Sequence, residues 1–298
     1  MTAKIIDGKA LSATIREKVA EEVAALKSQN KPVRLNAILV GDNSAAQVYA
    51  ENQRKTCAQV GIEYELKQLP AGTTEQALHS AIHALNRDST VTGIFLHSPL
   101  PSGMDLQEAQ YQIDILKDVE GVNPANIGHV VYGHTIIAPC TALAVVELID
   151  ATGVPLEGAD VTVVGASRIV GRPLSLLLTE RNATVTLCHI HTKDTPAACR
   201  RADIVVVAVG KPGLLRADHV KPGAVVIDVG INRVRIEDAF GKVTEKTVGD
   251  VDFEEVAKVA SWITPVPGGV GPMTVAMLLR NTLRAAKLVH RLEAPFGG

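Results

Sequence analysis

An apolar tetrapeptide, Val161-Thr162-Val163-Val164, runs directly into Gly165-Ala166-Ser167-Arg168-Ile169-Val170-Gly171-Arg172-Pro173 and then into an apolar helical stretch. Strand, glycine turn and helix N-terminus together set backbone N–H groups and the helix dipole against a pyrophosphate. The spacing is neither G-x-G-x-x-G nor a Walker loop, because the glycines enclose five residues and Arg172, not lysine, follows. A purely structural strand–helix turn is the competing reading. Two more turns at strand ends, Val209-Gly210-Lys211 and Val229-Gly230-Ile231, favour a cofactor, since open parallel sheets bind ligands there. The second strand of the series ends in His189-Ile190-His191-Thr192, with no acid before Asp194. An NAD site places an acid there for the ribose 2′-hydroxyl. Its absence, with Arg168 and two histidines near by, points to the extra phosphate of NADP.

These turns need a framework of alternating strands and helices, and the hydrophobic pattern supplies one. Apolar positions at helical spacing cover residues 9–29, with Pro32 as a stop. A buried strand is expected at 35–40, a helix at 43–60 closed by Gly61, and a strand at 62–69. Thr73 with Gln76 reads as a capping box ahead of a helix carrying Leu78, Ile82 and Leu85. A third strand, 91–96, ends in His97-Ser98-Pro99. The stretch 118–132 reads as irregular, and a domain boundary is expected there, before a helix from about Pro139. Strands follow at 161–164, 183–188, 204–209, 225–229 and 262–266. The run Thr264-Pro265-Val266-Pro267-Gly268-Gly269-Val270-Gly271-Pro272 reads as a rigid loop, either a domain hinge or a ligand wall. A long amphipathic helix from Met273 to about Leu292 closes the chain. Strand and helix in alternation predict an α/β fold with parallel sheets.

Composition excludes several classes. The 298 residues favour two domains, and a hydrophobic share of 46% against 21% charged is that of a globular protein. A net charge of −2 with signs interspersed argues against nucleic acid or an acidic membrane surface as a partner. Aromatic residues are 3%, too few for base-stacking platforms. No apolar run reaches a membrane span and the start has no signal-peptide core, so a cytoplasmic protein is expected. Cys57, Cys140, Cys188 and Cys199 lack metal-ligand spacing, and no metal is expected.

G-A-S-x-I-V-G-R-P, V-G-K-P-G, V-I-D-V-G-I-N-R, G-D-V and I-T-P-V-P-G-G-V-G-P-M-T resemble the bifunctional methylenetetrahydrofolate dehydrogenase/cyclohydrolase (FolD) family. Ile6-Asp7-Gly8-Lys9, Val40-Gly41-Asp42-Asn43, Tyr49, Lys117-Asp118-Val119 and Pro139-Cys140-Thr141 extend the likeness over essentially the whole chain. The resemblance implies a homodimer whose protomer has an N-terminal α/β catalytic domain and a Rossmann-type NADP domain with a cleft between them. The last helix returns to the first domain. The divisions would be 1–138 with 273–298, and 139–272. It further implies oxidation of 5,10-methylenetetrahydrofolate with NADP, then hydration to the 10-formyl compound. Carried over residue by residue, cofactor contacts fall on Gly165, Ser167, Arg168, Ile169, Gly171, Arg172, Pro173, His189, Val209, Gly210, Lys211, Gly230 and Ile231. Folate contacts fall on Tyr49, Glu120, Pro267, Gly268 and Gly269.

The departures cluster on the folate side. In the family motif a lysine four residues after the tyrosine assists water attack; here that position is Gln53. The glutamine that holds the lysine is replaced by His97, and the pterin-gripping aspartate by Glu120. Ala142 and Ala144 replace a proline and a glycine, which reads as drift. Gln53 with His97 reads as one linked change, because the two are partners in the family. Hydride loss leaves a cation stabilised by its own nitrogens and needs positioning more than a base. Hydration does need proton management, which a neutral amide does not give. His97, with an ordinary pKa near 6.5, is a possible replacement base, or a satisfied strand-end histidine. The expectation is an NADP-dependent dehydrogenase with weakened or absent cyclohydrolase. A paralogue recruited to another substrate and a non-catalytic NADP-binding protein are the alternatives. Arg168→Ala should raise the Michaelis constant for NADP and leave that for NAD nearly unchanged in steady-state assays with both cofactors, because the guanidinium forms a charge-assisted contact with the 2′-phosphate.

Overall fold

The computed structural model describes residues 2–237 and 243–294. Two units divide the chain: Ala13–Cys140 with Ala276–Gly298, and Met1–Ser12 with Thr141–Val275. In order, the path is β1 (Lys4–Ile5), α1 (Gly8–Ser28), β2 (Arg34–Val40), α2 (Ser44–Gln59), β3 (Glu63–Leu69), α3 (Glu75–Arg87), β4 (Gly93–Leu96), α4 (Leu106–Tyr111), α5 (Pro124–Val131) and α6 (Cys140–Asp150). It continues as β5 (Asp160–Val164), α7 (Gly171–Glu180), β6 (Thr184–Cys188), α8 (Thr195–Arg201), β7 (Ile204–Val207), β8 (Val225–Asp228), β9 (Asn232–Glu237), β10 (Val243–Val248), α9 (Phe253–Val256), β11 (Trp262–Ile263) and α10 (Val270–Val289).

The first unit is built on a three-stranded parallel sheet in the order β3-β2-β4. Central β2 is buried from Leu35 to Val40, which accounts for its unbroken apolar run. Parallel neighbours require crossovers, supplied by α2 and α3. Asn43 caps α2 by accepting from Ala46 N at 2.9 Å, and Gly61 ends it at φ +78°. The helix buries a single stripe, Ala46, Ala50, Gln53 and Cys57. Thr74 caps α3, accepting from Ala77 N at 3.2 Å. Thr73, the expected cap, instead donates its hydroxyl to Pro70 O within the preceding turn. The other end of α3 is closed by Lys117, whose ammonium donates to the carbonyls of Leu85, Asn86 and Asp88 at 3.0, 2.7 and 2.7 Å.

The stretch 118–132 is not irregular throughout. Asp118 folds it back by accepting from Gly121 N, Asn123 N and Asn126 Nδ2 at 3.1, 2.8 and 3.0 Å. Asn123 then caps α5, accepting from Ala125 N, with Pro124 in the first turn where its missing N–H costs nothing. Gly121 has φ +70°, and a Cβ there would lie 2.3 Å from the Ala138 carbonyl carbon. The chain therefore passes tightly against Ala138. Asn281 of α10, itself buried, donates to Val119 O at 2.9 Å and Ala138 O at 3.0 Å and clamps that approach.

The second unit carries a six-stranded parallel sheet, β1-β11-β8-β7-β5-β6, with β7 and β8 wholly buried. From β5 the chain goes first to the edge as β6 and then to the other side as β7, so strand order reverses at β5. β1, expected in the first domain, joins this sheet, pairing with β11 through Lys4↔Trp262 and Ile5↔Ile263. A two-residue strand carries no readable period, and its partner is distant in sequence. The closing helix begins at Val270, three residues before its expected start, with Pro272 inside its first turn. The antiparallel hairpin β9–β10 was not foreseen either. It is rich in charge, with Arg235 opposite Glu245.

Asn281→Leu keeps the volume and removes the amide donor from both carbonyls, leaving Val119 O only the weak Cys140 thiol at 3.4 Å. Unfolding in urea should show a loss of about 2–3 kcal/mol, the cost of leaving buried acceptors unmet.

Candidate active site

Two carboxylates organise the C-terminal edge of the larger sheet. Asp228, at the end of β8, accepts from Gly230 N, Asp250 N and Val251 N, each at 2.9 Å. Asp250 accepts from Val209 N, Gly210 N and Lys211 N at 2.7, 2.8 and 2.8 Å, and from Asn232 Nδ2 at 2.9 Å. Burial pushes Asp228 up to about 6 even against its three N–H donors. The flanking glycines are dictated by the acids. A Cβ at Gly249 would lie 1.8 Å from Asp228 Oδ2, and one at Gly230 would lie 2.2 Å from Asp250 Oδ1. The N–H groups of Val209, Gly210 and Lys211 are thus held by the protein. What the turn leaves free is the Val209 side chain, which is half exposed, with exposed Gly210 and Lys211.

The loop from Gly165 to Pro173 lies where strand order reverses, the position at which open sheets take ligands. Gly165 has φ +115° and a Cβ there would meet Ala208 O at 2.2 Å; a Cβ at Gly171 would meet Gly165 O at 1.7 Å. Only glycine permits this closure. The sequence reading gave the helix N–H groups to a pyrophosphate, and here the structure differs. Ser167 Oγ accepts from Val170 N and Gly171 N at 3.2 and 3.4 Å, and Ser167 O accepts from Arg172 N at 3.1 Å. What faces outward is the exposed set Ser167, Arg168, Ile169 and Arg172, with Arg172 Nε anchored on Ala166 O at 3.1 Å. Pro173 is buried in the first turn of α7. At the end of β6, His189 and His191 are exposed with ring centroids 6.0 Å apart. The shape and basic side chains fit a dinucleotide carrying an extra phosphate. Ile231 is exposed beside Gly230. Pro267 is exposed and Gly268, at φ +117°, is buried; Gly269 N donates to Pro265 O at 2.8 Å, and Gly8 packs so closely that a Cβ there would lie 1.9 Å from Gly269 O.

In the first unit Tyr49, Phe95 and His97 form an aromatic group. The Tyr49 ring stacks on Phe95 with centroids 6.3 Å apart, and His97 meets both edge-on at 5.8 and 4.9 Å. Tyr49 is 47% exposed, so part of the side chain reaches solvent. His97 is buried, its Nε2 lies 3.2 Å from Tyr64 Oη, and burial pushes its pKa down to about 4. Burial also raises Tyr64 strongly. The phenol therefore keeps its proton, the imidazole is neutral, and the two share one hydrogen bond. One helical turn beyond Tyr49, Gln53 is buried, and neither amide atom has a hydrogen-bond partner among the described residues. Glu120, placed by the Asp118 fold, has its pKa pushed up to about 8 by burial and by Asp118, opposed by Gln110 Nε2 at 3.2 Å and by the Leu96 backbone. Its carboxyl is close enough to raise Tyr49 as well.

Models of two domains match this chain: "Tetrahydrofolate dehydrogenase/cyclohydrolase, catalytic domain" over residues 6–120, and the NAD(P)-binding domain of the same name over 139–290. The chain belongs to the tetrahydrofolate dehydrogenase/cyclohydrolase family. It is 46% identical to the "Bifunctional protein FolD" of Acetivibrio thermocellus over 98% of this chain and 100% of that one. The Moorella thermoacetica protein of the same name is 47% identical over 96% and 100%. Among solved structures, the Campylobacter jejuni bifunctional enzyme FolD superposes with a TM-score of 0.89 at 46% identity, covering 96% and 99%. The Trypanosoma brucei enzyme, complexed with NADP and an inhibitor, gives 0.89 at 38% identity, covering 99% and 100%.

Tyr49, His97 and Glu120 come together in one unit of this family member; the residues expected to contact the cofactor and the Pro267–Gly269 turn lie in the other. Tyr64, Phe95 and Gln110 escaped the sequence reading. Their signal was positional only, an outward residue on an edge strand, one before a strand end, and one in a helix too short for periodicity. Among the described residues no three His, Cys, Asp or Glu side chains are placed to share a metal, no helix is long and apolar enough to cross a membrane, and the four cysteines are free and buried.

Glu120 is protonated in the fold between its ordinary pKa near 4.5 and about 8, while the unfolded chain ionises it there. The fold thus binds the extra proton, and stability falls as pH rises through that window. Glu120→Gln should flatten this loss: unfolding at pH 5.5 and pH 9 should show the variant gaining a few kcal/mol on the parent at the higher pH.

Proposed function

We propose that this protein oxidises 5,10-methylenetetrahydrofolate to the 5,10-methenyl compound with NADP, and that its hydrolysis of that product to 10-formyltetrahydrofolate is weak or lost. The first half rests on the family and on the relatives named FolD, at 46–47% identity over nearly full length. The second half rests on Gln53. An amide stands where the family motif has lysine, buried and with no partner among the described residues. Homodimeric assembly in the cytoplasm belongs to the same proposal.

In this reading NADP, held by the Gly165–Pro173 loop and the Val209–Lys211 turn, would supply the hydride acceptor. The chain's own work is placement. The exposed part of Tyr49 supports the reduced pterin, and Glu120 grips its nitrogen edge. Hydride loss is assisted chiefly by orientation, which the Tyr49–Phe95–His97 stack rigidifies. Water attack on the methenyl carbon needs a group that exchanges a proton near neutral pH. Gln53 does not titrate. His97, with its Nε2 engaged by Tyr64 and its pKa near 4, is neutral and a poor base at pH 7. Glu120, one methylene longer than the aspartate of the family motif, favours a second reading, in which the pocket takes a different substrate with NADP retained.

Formation of NADPH from methylenetetrahydrofolate, followed by its fluorescence, separates the two. Hydrolysis, followed as decay of methenyl absorbance against buffer alone, should fall by roughly 10²–10⁴-fold relative to an enzyme with general acid–base assistance. Gln53→Lys with His97→Gln should recover it better than Gln53→Lys alone. Rapid decay with the parent chain would sink the proposal for hydrolysis and leave the oxidation standing.

A further inference from the structure

We propose that the folate pocket is selective for charge: it holds the flat 5,10-methenyl compound, cationic at its N5–N10 bridge, more tightly than a reduced folate with no charge on N5 or N10, through the Tyr49 ring face and the Glu120 carboxyl. This rests on the function proposed above and specifies which ligand state the pocket favours. Three observations carry it. The Tyr49 ring, 47% exposed and backed by Phe95, offers the negative face that attracts a delocalised cation. Beside it stands Glu120, whose surroundings are burial, a second acid in Asp118, the Gln110 amide and the Leu96 backbone. Glu120 holds its proton in the free fold at neutral pH; a positive ligand beside it offsets the desolvation and the repulsion by Asp118 and favours the carboxylate, the proton leaving to solvent as the cation binds.

The third observation is where the nearby bases go. Arg54 and Lys55 flank Gln53 in sequence, yet both pair with Glu51, at 2.7 and 3.6 Å. Lys117, three residues before Glu120, sends its ammonium to the carbonyls at the end of α3. His97 is neutral and bonded to Tyr64. Gln53 places an uncharged amide where an ammonium would repel the cation, and its buried, unpartnered atoms are left to the ligand. The methenyl compound spreads its charge over N5, the bridging carbon and N10, a planar group suited to an aromatic face. The methylene compound is neutral and puckered at that bridge.

The test is calorimetric titration of the full chain with 5,10-methenyltetrahydrofolate and, separately, tetrahydrofolate, with methenyl absorbance checking that the ligand is intact. The parent should bind the cation about tenfold or more tightly than tetrahydrofolate. Gln53→Lys should remove most of that ratio by weakening the cation alone. Gln53→Met, similar in volume and uncharged, should keep it within about threefold, which separates charge from packing. Glu120→Gln should lower affinity for the cation more than for tetrahydrofolate. Equal affinities in the parent would overturn the inference, as would Gln53→Lys and Gln53→Met shifting the ratio alike. NADPH formation without charge preference defeats this inference alone. Binding of neither probe defeats it together with the proposed function.

Discussion

The pair Asp228 and Asp250 is the interaction on which the cofactor face depends. Where parallel strands end, their loops expose rows of N–H groups that the sheet no longer pairs. One acid or the other takes up those of Val209, Gly210, Lys211, Gly230 and Val251, and Asp250's own N–H goes to Asp228. Thr264 joins in, its hydroxyl accepting from Asp228 N at 2.7 Å. Hydrogen bonds to a charged acceptor contribute roughly 1.5–3 kcal/mol each, enough to fix several loops from one point. The arrangement also explains two sequence motifs at once. Gly230 and Gly249 are glycines because a carboxylate occupies the space of a Cβ.

Much of the architecture could be read from periodicity. The buried runs of β2, β7 and β8 and the stripe of α2 are repeated at the spacing their packing demands. What escaped the reading was short or held by contacts distant in sequence. Helix α5 lies in a stretch full of Gly, Asn and Pro, and it exists because Asp118 turns the chain so that Asn123 can cap it. Strand β1 has two residues and a partner near the other end of the chain. The shift from Thr73 to Thr74 at the α3 cap is decided by Pro70, whose carbonyl captures the first hydroxyl.

The candidate site divides in the same way. The family resemblance named Tyr49, His97 and Glu120, and these three do gather. The states of the groups were not legible. A histidine near pKa 6.5 looks like a replacement base on paper; burial and the Tyr64 hydroxyl make it a neutral spacer. Likewise the N–H groups of the glycine turns suggested a phosphate cradle, yet Ser167 and Asp250 already use them. Sequence shows which donors exist, whereas the fold decides which remain available.

The pairing of Lys4 with Trp262 and Ile5 with Ile263 has a consequence for synthesis. β1 cannot dock until its partner β11 has emerged from the ribosome, some 258 residues later. Until then the sheet that β1 completes has an open edge at β8, with its backbone groups unpaired. Contacts of such long range slow folding and lengthen the time an edge stays exposed. Nascent chains should therefore hold a finished β3-β2-β4 sheet well before the larger sheet closes, and a stalled chain lacking its last forty residues would present that edge to chaperones or to other copies of itself.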